Sequence, residues 1–162
     1  MSQGSLAGGG VHRRSGEGKS FWLITDLHTF KIVGDDTNGA FTVAELIGDP
    51  ELGPPPHVHR NHDESFYILE GTFDFSLAGR PFTARAGDFV HLPRGVVHSH
   101  RAAGGAAAKA LVIQAPAGVE RFIEEAGKPA TDPSRRPAPP EPSEFGRIVA
   151  IAQKHGIDVP PA

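Results

Sequence analysis

Six of the nine histidines in this 162-residue sequence lie within a single 44-residue window. They are His57, His59, His62, His91, His98 and His100. Imidazole binds transition metals and exchanges protons near neutral pH, so such a cluster can do chemistry that scattered histidines cannot. The window opens with the stretch HVHRNHDE, in which three imidazoles and two carboxylates occupy eight positions.

The spacing of the first ligand candidates predicts that they share one ion. His57 and His59 are two residues apart, so on a strand both side chains lie on one face. Glu64 follows five residues later with the opposite parity, so a turn must reset the register before it. Asn61 and Asp63 tolerate turn geometries and supply that turn.

A fourth ligand can come from His98, which follows the turn residues Pro93 and Gly95. Three imidazoles and one carboxylate suit Fe, Mn, Ni, Co or Cu, and less specifically Zn. Such a set leaves room for exogenous ligands, as a catalytic site requires. A His-x-His pair alone is more often a surface feature, but the addition of Glu64 and His98 favours a shared metal.

Other conspicuous side chains have weaker signals. His62 lies in the turn and is expected to be a solvated loop residue, and His28 carries no signal. His100 shares the face of His98, so a pocket-lining role and a structural role are equally plausible. Together with His100, our candidates for the substrate pocket are Phe66, Ile68 and Phe75, whose strand spacing is otherwise typical of core residues.

The elements that must position these residues are mainly strands. Short β-branched and aromatic segments recur between glycine- and proline-rich turns, and the chain holds 20 glycines and 15 prolines. This pattern predicts an all-β barrel or sandwich over residues 21–116, preceded by a flexible arm at residues 1–20.

Residues 117–162 read as two helices joined by a proline-rich linker. The first helix should bury Val119, Phe122, Ile123 and Ala126 and stop at Gly127. The second should start at Ser143 as N-cap, end at Gly156, and present a face of Phe145, Ile148, Val149 and Ala152.

Composition excludes several classes of site and partner. The chain has no cysteine, which rules out disulfides, iron–sulfur clusters and thiolate zinc sites. Its formal charge is −3 and its basic residues are scattered, so we expect no nucleic-acid partner. No apolar run is long enough to span a membrane and no signal peptide is recognisable, so we expect no membrane association and a cytoplasmic setting.

Two sequence motifs resemble those of the cupin family. The first is His57-x-His59, four residues, Glu64, six residues and Gly71. The second is Gly87, five residues, Pro93-x-Gly95, two residues and His98. Two features depart from the family pattern: the opening glycine is displaced to Gly53, before a proline triplet, and Ala102 replaces an asparagine that often follows the last histidine.

Over residues 11–157 the chain is more loosely similar to bacterial single-domain cupins of the quercetin 2,3-dioxygenase-like group. The resemblance implies a double-stranded β-helix, a jelly-roll barrel with a short helical appendage at the C-terminus. It also implies one divalent transition metal on His57, His59, Glu64 and His98, a small-molecule substrate and a homodimer. Glu64 would additionally be the catalytic base. We expect burial to raise its pKa and the cation to lower it, leaving it to titrate near neutrality.

Three functions remain open at this point. The first is a metal-dependent dioxygenase that oxidises a small aromatic or enolic, flavonol-like substrate. The second is a cupin isomerase, cyclase or decarboxylase that uses the metal only as a Lewis acid. The third is a non-catalytic metal- or ligand-binding protein. The fold cannot choose among them, because function depends on the site.

Overall fold

A computed structural model describes residues 6–161, and the first five residues of the expected N-terminal arm lie outside the described range. The strands are β1 (Ser20–Leu23), β2 (Asp26–Ile32), β3 (Thr42–Gly48), β4 (Val58–His59), β5 (Asp63–Glu70), β6 (Thr72–Leu77), β7 (Arg80–Arg85), β8 (Phe89–Leu92), β9 (His98–Ala102), β10 (Ala108–Ala115), β11 (Lys128–Pro129) and β12 (Ile157–Asp158). The helices are α1 (Val119–Ala126) and α2 (Pro142–Lys154).

The strands form antiparallel sheets that enclose one interior. A seven-stranded sheet has the order β11-β1-β2-β3-β10-β5-β8, and a three-stranded sheet has the order β7-β6-β9. The short strands β12 and β4 form a separate pair. The predicted all-β fold with a C-terminal helical appendage is therefore confirmed.

Strict alternation of buried and less buried side chains fixes the register of the central strands. On β3 and β10 every second residue is buried, which is the pattern of a strand with one face on a core. The deep end of the interior is filled by apolar side chains from both sheets. Its largest members are Leu46, Phe66, Ile68, Phe73, Phe75 and Leu92.

The two helices cover the opposite end of the barrel. The predicted face of α1 is buried, with Phe122 and Ile123 packed against Ile148 and Ala152 of α2. The helix α1 ends before Gly127 as expected. The predicted start of α2 was two residues late: Glu141, not Ser143, is the N-cap, and Pro142 occupies the first turn, where its missing N–H costs nothing.

The chain after α2 returns to the strand that carries the first histidines. Gly156 adopts a φ of 79°, which favours glycine, and its carbonyl accepts the Arg60 N–H at 2.8 Å. Ile157 then pairs with His59 in β4. The Arg60 guanidinium contacts the Asp158 carboxylate at 2.6 Å. The C-terminal segment is thus attached directly to the site described below.

Among residues 6–161, neither helix has the length and apolar character needed to cross a bilayer.

Candidate metal centre

His57, His59, Glu64 and His98 converge at the helix-covered end of the barrel. Each offers one ligand atom, and these atoms all lie within 4.8 Å of one another. All four side chains are buried. The structure therefore brings together the complete set that the motif spacing predicted.

Backbone pairing between distant segments creates this convergence. His57, which precedes β4, and His98, which begins β9, exchange backbone hydrogen bonds of 2.9 and 3.0 Å. Residues 60–62 lie between β4 and β5 and restore the parity that brings Glu64 to the same side as the histidines. At Gly53 an added Cβ would meet the His100 carbonyl oxygen at 2.2 Å, so the proline run can approach β9 only with glycine there.

Two of the imidazoles are oriented by backbone carbonyls. His57 Nδ1 lies 2.9 Å from the Pro55 carbonyl oxygen, and His98 Nδ1 lies 3.0 Å from that of Val96. Because a carbonyl can only accept, each Nδ1 carries a proton; Nε2 of His57 keeps its lone pair, whereas Nε2 of His98 donates to Glu64 in the metal-free cluster and offers its lone pair to a metal only when the ring is neutral. This arrangement is typical of histidines that bind a metal.

Glu64 uses its two oxygens for different partners. Its Oε2 lies 3.2 Å from His98 Nε2 and 3.5 Å from His59 Nε2, the second distance being too long for a hydrogen bond. Its Oε1 accepts a hydrogen bond of 2.7 Å from Gln114 Nε2. Gln114 faces Glu64 across the β10–β5 ladder. One signal in the sequence could have indicated this residue, namely an amide side chain near the end of a largely apolar strand.

The electrostatics of the cluster favour an ionised Glu64. Burial raises the pKa of this carboxyl, but the charge of His59 and the hydrogen bond from His98 outweigh it and hold the pKa well below its usual range. The expectation of titration near neutrality concerned the carboxyl beside a bound cation, and it stays a prediction. Burial lowers the pKa of His98, yet Glu64 raises it overall. Burial, with His59 and His98, lowers the pKa of His57 to about 3.

The donor atoms of the four-residue cluster are of the types that bind a transition-metal ion. Both ring nitrogens of His59 are buried without a hydrogen-bond partner, which is costly. A bound metal ion would relieve this cost at the nitrogen that it coordinates. His59 lies beside an anionic oxygen and two further imidazoles. A divalent cation would be bound by one carboxylate and three Nε2-type donors, the mixture that mid-series transition metals accept.

The cluster opens onto a cavity of about 90 Å³ between the barrel and the helices. Its wall is mostly apolar, and the helices contribute Phe122, Phe145, Ile148 and Val149. Its polar side chains are those of His57, His59 and Glu64 from the cluster, together with Asp26, His28, His100 and Gln114. Asp26, His28 and Gln114 were not among the residues selected from the sequence.

The candidate pocket residues lie in three different places. His100 lines the cavity, whereas Phe66 and Ile68 are fully buried in the core and do not line it. Phe75 lines a separate groove beside Pro54 and Pro56. The Phe66 ring instead packs 5.0 Å from the His100 ring and supports it from behind. A direct role in substrate binding stays a prediction for all four.

His62 is buried, contrary to the expectation of a solvated loop residue. Its side chain is 4 % exposed, and its ring centroid lies 4.3 Å from that of His59. Burial and the neighbouring His59 lower its pKa to about 4. The sequence suggested a solvated turn because nothing in it indicated that the C-terminal segment folds back over residues 60–62.

Comparison with known proteins places this arrangement in a family context. A family model described as a cupin domain matches residues 48–114. Quercetin 2,3-dioxygenase of Bacillus subtilis is 30% identical over 135 residues, and that of Aspergillus japonicus is 28% identical over 141 residues. Each match covers 83% of this chain but 40% of the relative, so the chain spans about two fifths of their length.

Among solved structures, a predicted oxalate decarboxylase from Thermotoga maritima is similar with a TM-score of 0.59 and 21% identity. The match covers 65% of this chain and 98% of that one. At this identity the likeness shows the fold alone, which is the jelly roll of these proteins.

Proposed function

The chain belongs to the cupin superfamily and resembles its quercetin 2,3-dioxygenases, and from this premise we propose that it is a metal-dependent dioxygenase. Its substrate would be a small aromatic or enolic, flavonol-like molecule, and dioxygen would be the oxidant.

The observation that carries the proposal is the position of the four-residue cluster. His57, His59 and Glu64 line a cavity whose remaining wall is largely apolar, and His98 completes the cluster behind them. An apolar wall suits an aromatic ring, and the cluster would bind its hydroxyl oxygen. Redox-capable metals supply Lewis acidity toward such an oxygen and electron exchange with dioxygen.

The protein's own contribution begins with Glu64. In the metal-free cluster Glu64 is ionised at neutral pH, because the neighbouring imidazoles hold its pKa below the usual range, and the carboxylate is the form that can take the proton of a substrate hydroxyl. The Gln114 amide occupies Oε1, so the proton would pass to Oε2. Phe122 and Ile148 of the helices add apolar side chains to the cavity wall and would limit the access of water to the deprotonated substrate.

A second candidate function is isomerisation, cyclisation or decarboxylation with the metal as a Lewis acid only. It is favoured by the additional proton-transfer groups Asp26 and His28, which share the cavity with Glu64. A dioxygenase needs one base, whereas proton relocation within a substrate uses an acid and a base at separate positions.

Oxygen uptake separates these functions. The purified protein would be loaded in turn with Fe, Mn, Ni, Co, Cu and Zn, and offered quercetin and smaller enols and phenols. We expect uptake with a redox-active metal that is lost in Glu64→Gln, while His98→Ala strongly reduces metal content. Turnover of a substrate under strict anaerobiosis would overturn the dioxygenase in favour of the Lewis-acid enzyme. Metal binding without turnover of any compound would indicate a binding protein.

We also propose that the chain forms a homodimer. The outer face of β5 and β8 exposes Tyr67, Leu69 and Phe89, and Phe89 is 61% exposed at the edge of the seven-stranded sheet. An exposed apolar edge of this kind favours association with a second copy.

A further inference from the structure

The cavity contains a second polar group that the metal cluster does not use. Asp26 and His28 lie two residues apart on β2 and line the cavity, as does His100 of β9. None of the three belongs to the four-residue cluster. Their role is therefore separate from holding the metal.

Asp26 is held in place for binding. Its side chain is 7% exposed, and its Oδ1 accepts the Asp49 N–H at 2.8 Å. Its Oδ2 lies 3.5 Å from His100 Nε2, which is too long for a hydrogen bond and leaves this oxygen available as an acceptor.

His100 has no hydrogen-bond partner on either ring nitrogen, although it is 8% exposed. Buried polar groups are normally paired, so an unpaired imidazole on a cavity wall points to a missing ligand group. The Phe66 ring behind it, at 5.0 Å, fixes the side to which the imidazole can turn.

His28 adds a group that can both donate and accept. Burial lowers its pKa to about 4, although the Asp26 carboxylate opposes this effect. A neutral imidazole has one N–H donor and one free lone pair, so the three residues together can satisfy a hydroxyl group in both of its roles.

The size of the cavity limits the ligand. An apolar cavity of ~150 Å³ holds one benzene molecule, and drug-sized ligands occupy ~300 Å³ or more. The cavity here measures about 90 Å³. The cavity is thus smaller than one that holds benzene, so a single ring already requires some adjustment of the wall, and the three rings of a flavonol require the helices to move.

We propose that Asp26, His28 and His100 form a second polar subsite that binds a hydroxyl group of the substrate, and that the substrate is a one-ring dihydroxylated aromatic or a compact hydroxy-enol. One oxygen of this ligand faces the metal cluster and the other faces the subsite. The contact between the first oxygen and the metal cluster rests on the proposed function. The contact between the second oxygen and the subsite does not, because it is made by protein side chains alone.

Binding can be measured without turnover. The protein would be loaded with Zn, which does not exchange electrons, and titrated anaerobically by calorimetry with phenol, catechol, resorcinol, hydroquinone and quercetin. We expect at least one dihydroxybenzene to bind roughly tenfold more tightly than phenol, as one good hydrogen bond to a charged group allows. Quercetin should bind more weakly than that ligand.

Variants then assign the preference to the subsite. In Asp26→Asn the amide oxygen can still accept the Asp49 N–H, so the fold is kept while the free carboxylate oxygen is lost. The preference over phenol should fall below about threefold with phenol affinity and zinc content unchanged, because a neutral amide binds a hydroxyl less well than a carboxylate. His28→Phe should act in the same direction. Asp35→Asn, at an exposed acid, is the matched control.

The subsite is overturned if the wild-type protein prefers no dihydroxybenzene, or if Asp26→Asn and His28→Phe both retain the preference. Quercetin binding as tightly as the best one-ring ligand overturns the size limit. A retained preference with no oxygen uptake from any of these compounds contradicts the dioxygenase instead, and leaves the subsite standing.

Discussion

Glu64 is the residue on which the site depends, because each of its oxygens is engaged differently. Oε2 faces His59 and His98, while Oε1 is held by the Gln114 amide at 2.7 Å. A carboxylate fixed at one oxygen presents the other in a defined direction. Groups that orient metal ligands in this way commonly contribute ten- to a hundredfold in metal affinity.

Gln114→Ala is expected to weaken metal binding by roughly tenfold or more, because Glu64 loses the donor that orients it. Gln114→Glu should be worse, since it places a second carboxylate against the first. Zinc affinity would be measured by competition with a chromogenic chelator. Gln153→Ala, at an exposed glutamine on α2, is the control. If Gln114→Ala and this control bind zinc with equal affinity, Gln114 does not position Glu64.

His28 makes the metal-free protein sensitive to acid. Its pKa is about 4 in the folded state because burial disfavours the charged form, whereas the usual pKa of histidine is 6.5. Between these values the unfolded chain binds the extra proton, so stability is lost as the pH falls from about 6.5 toward about 4. His28→Gln should reduce the loss between about pH 7 and pH 5 by roughly 1 to 2 kcal/mol.

Urea denaturation of the metal-free protein at the two pH values measures this difference. His91→Gln replaces an exposed histidine and should leave the pH dependence as it is in the wild type. A His28→Gln variant that loses as much stability as the wild type would show that His28 does not carry the effect. His57 and His62, whose pKa values are also lowered, would then remain as the groups responsible.

The four ligand candidates could be predicted from sequence because their spacing follows strand parity and a single turn. Gln114, Asp26 and His28 could not, since each is a single polar residue in a strand and nothing local indicates where it points. Their approach to the site depends on which strands pair. Gln114 meets Glu64 only because β10 lies beside β5.

At the scale of elements, α1 is attached to the barrel by a buried carboxylate. Glu120 is 6% exposed, and its oxygens accept hydrogen bonds from Gly34 N, Gly118 N and the Thr42 hydroxyl at 3.0, 2.8 and 2.6 Å. Burial raises its pKa, but these donors outweigh it and lower the pKa overall. The first turn of the helix is thereby tied to β3 and to the loop before it.

Glu120→Ala is expected to cost roughly 2 to 4 kcal/mol in the free energy of unfolding, because it leaves buried donors without partners. Urea denaturation measures the loss, and ligand binding should weaken as the helices move from the cavity. Glu124→Ala, on the exposed face of the same helix, should change stability by less than about 0.5 kcal/mol. A comparable loss in both variants would mean that Glu120 has no special anchoring role.

The helices themselves could be predicted, since their apolar periodicity is local. Their position over the metal cluster could not, because it depends on the pairing of β12 with β4, two residues on each side. Such short strands carry almost no sequence signal. The same pairing buries His62, which is why a residue expected in solvent lies against His59.

On the scale of the whole molecule, the barrel interior is divided by polarity. Phenylalanines fill the deep end, the helices close the other, and the metal cluster and the proposed subsite lie between them. Polar groups can be tolerated there if the cluster binds an ion and the proposed subsite binds a ligand, as we propose. The outer surface does not follow this division, because the apolar side chains of Tyr67, Leu69 and Phe89 face solvent.

This outer face yields the last prediction. Tyr67 and Phe89 are cross-strand partners in the β5–β8 pair, and Leu69 follows on the same face of β5. If they form the homodimer interface, Phe89→Glu buries an unpaired charge in it and should convert the dimer into a monomer. Sedimentation velocity at micromolar concentration would report the mass of two chains for the wild type and one for the variant. Phe41→Glu, at an exposed phenylalanine outside this face, should remain dimeric. A monomeric wild type, or a Phe89→Glu protein that stays dimeric, would assign this face to some other contact.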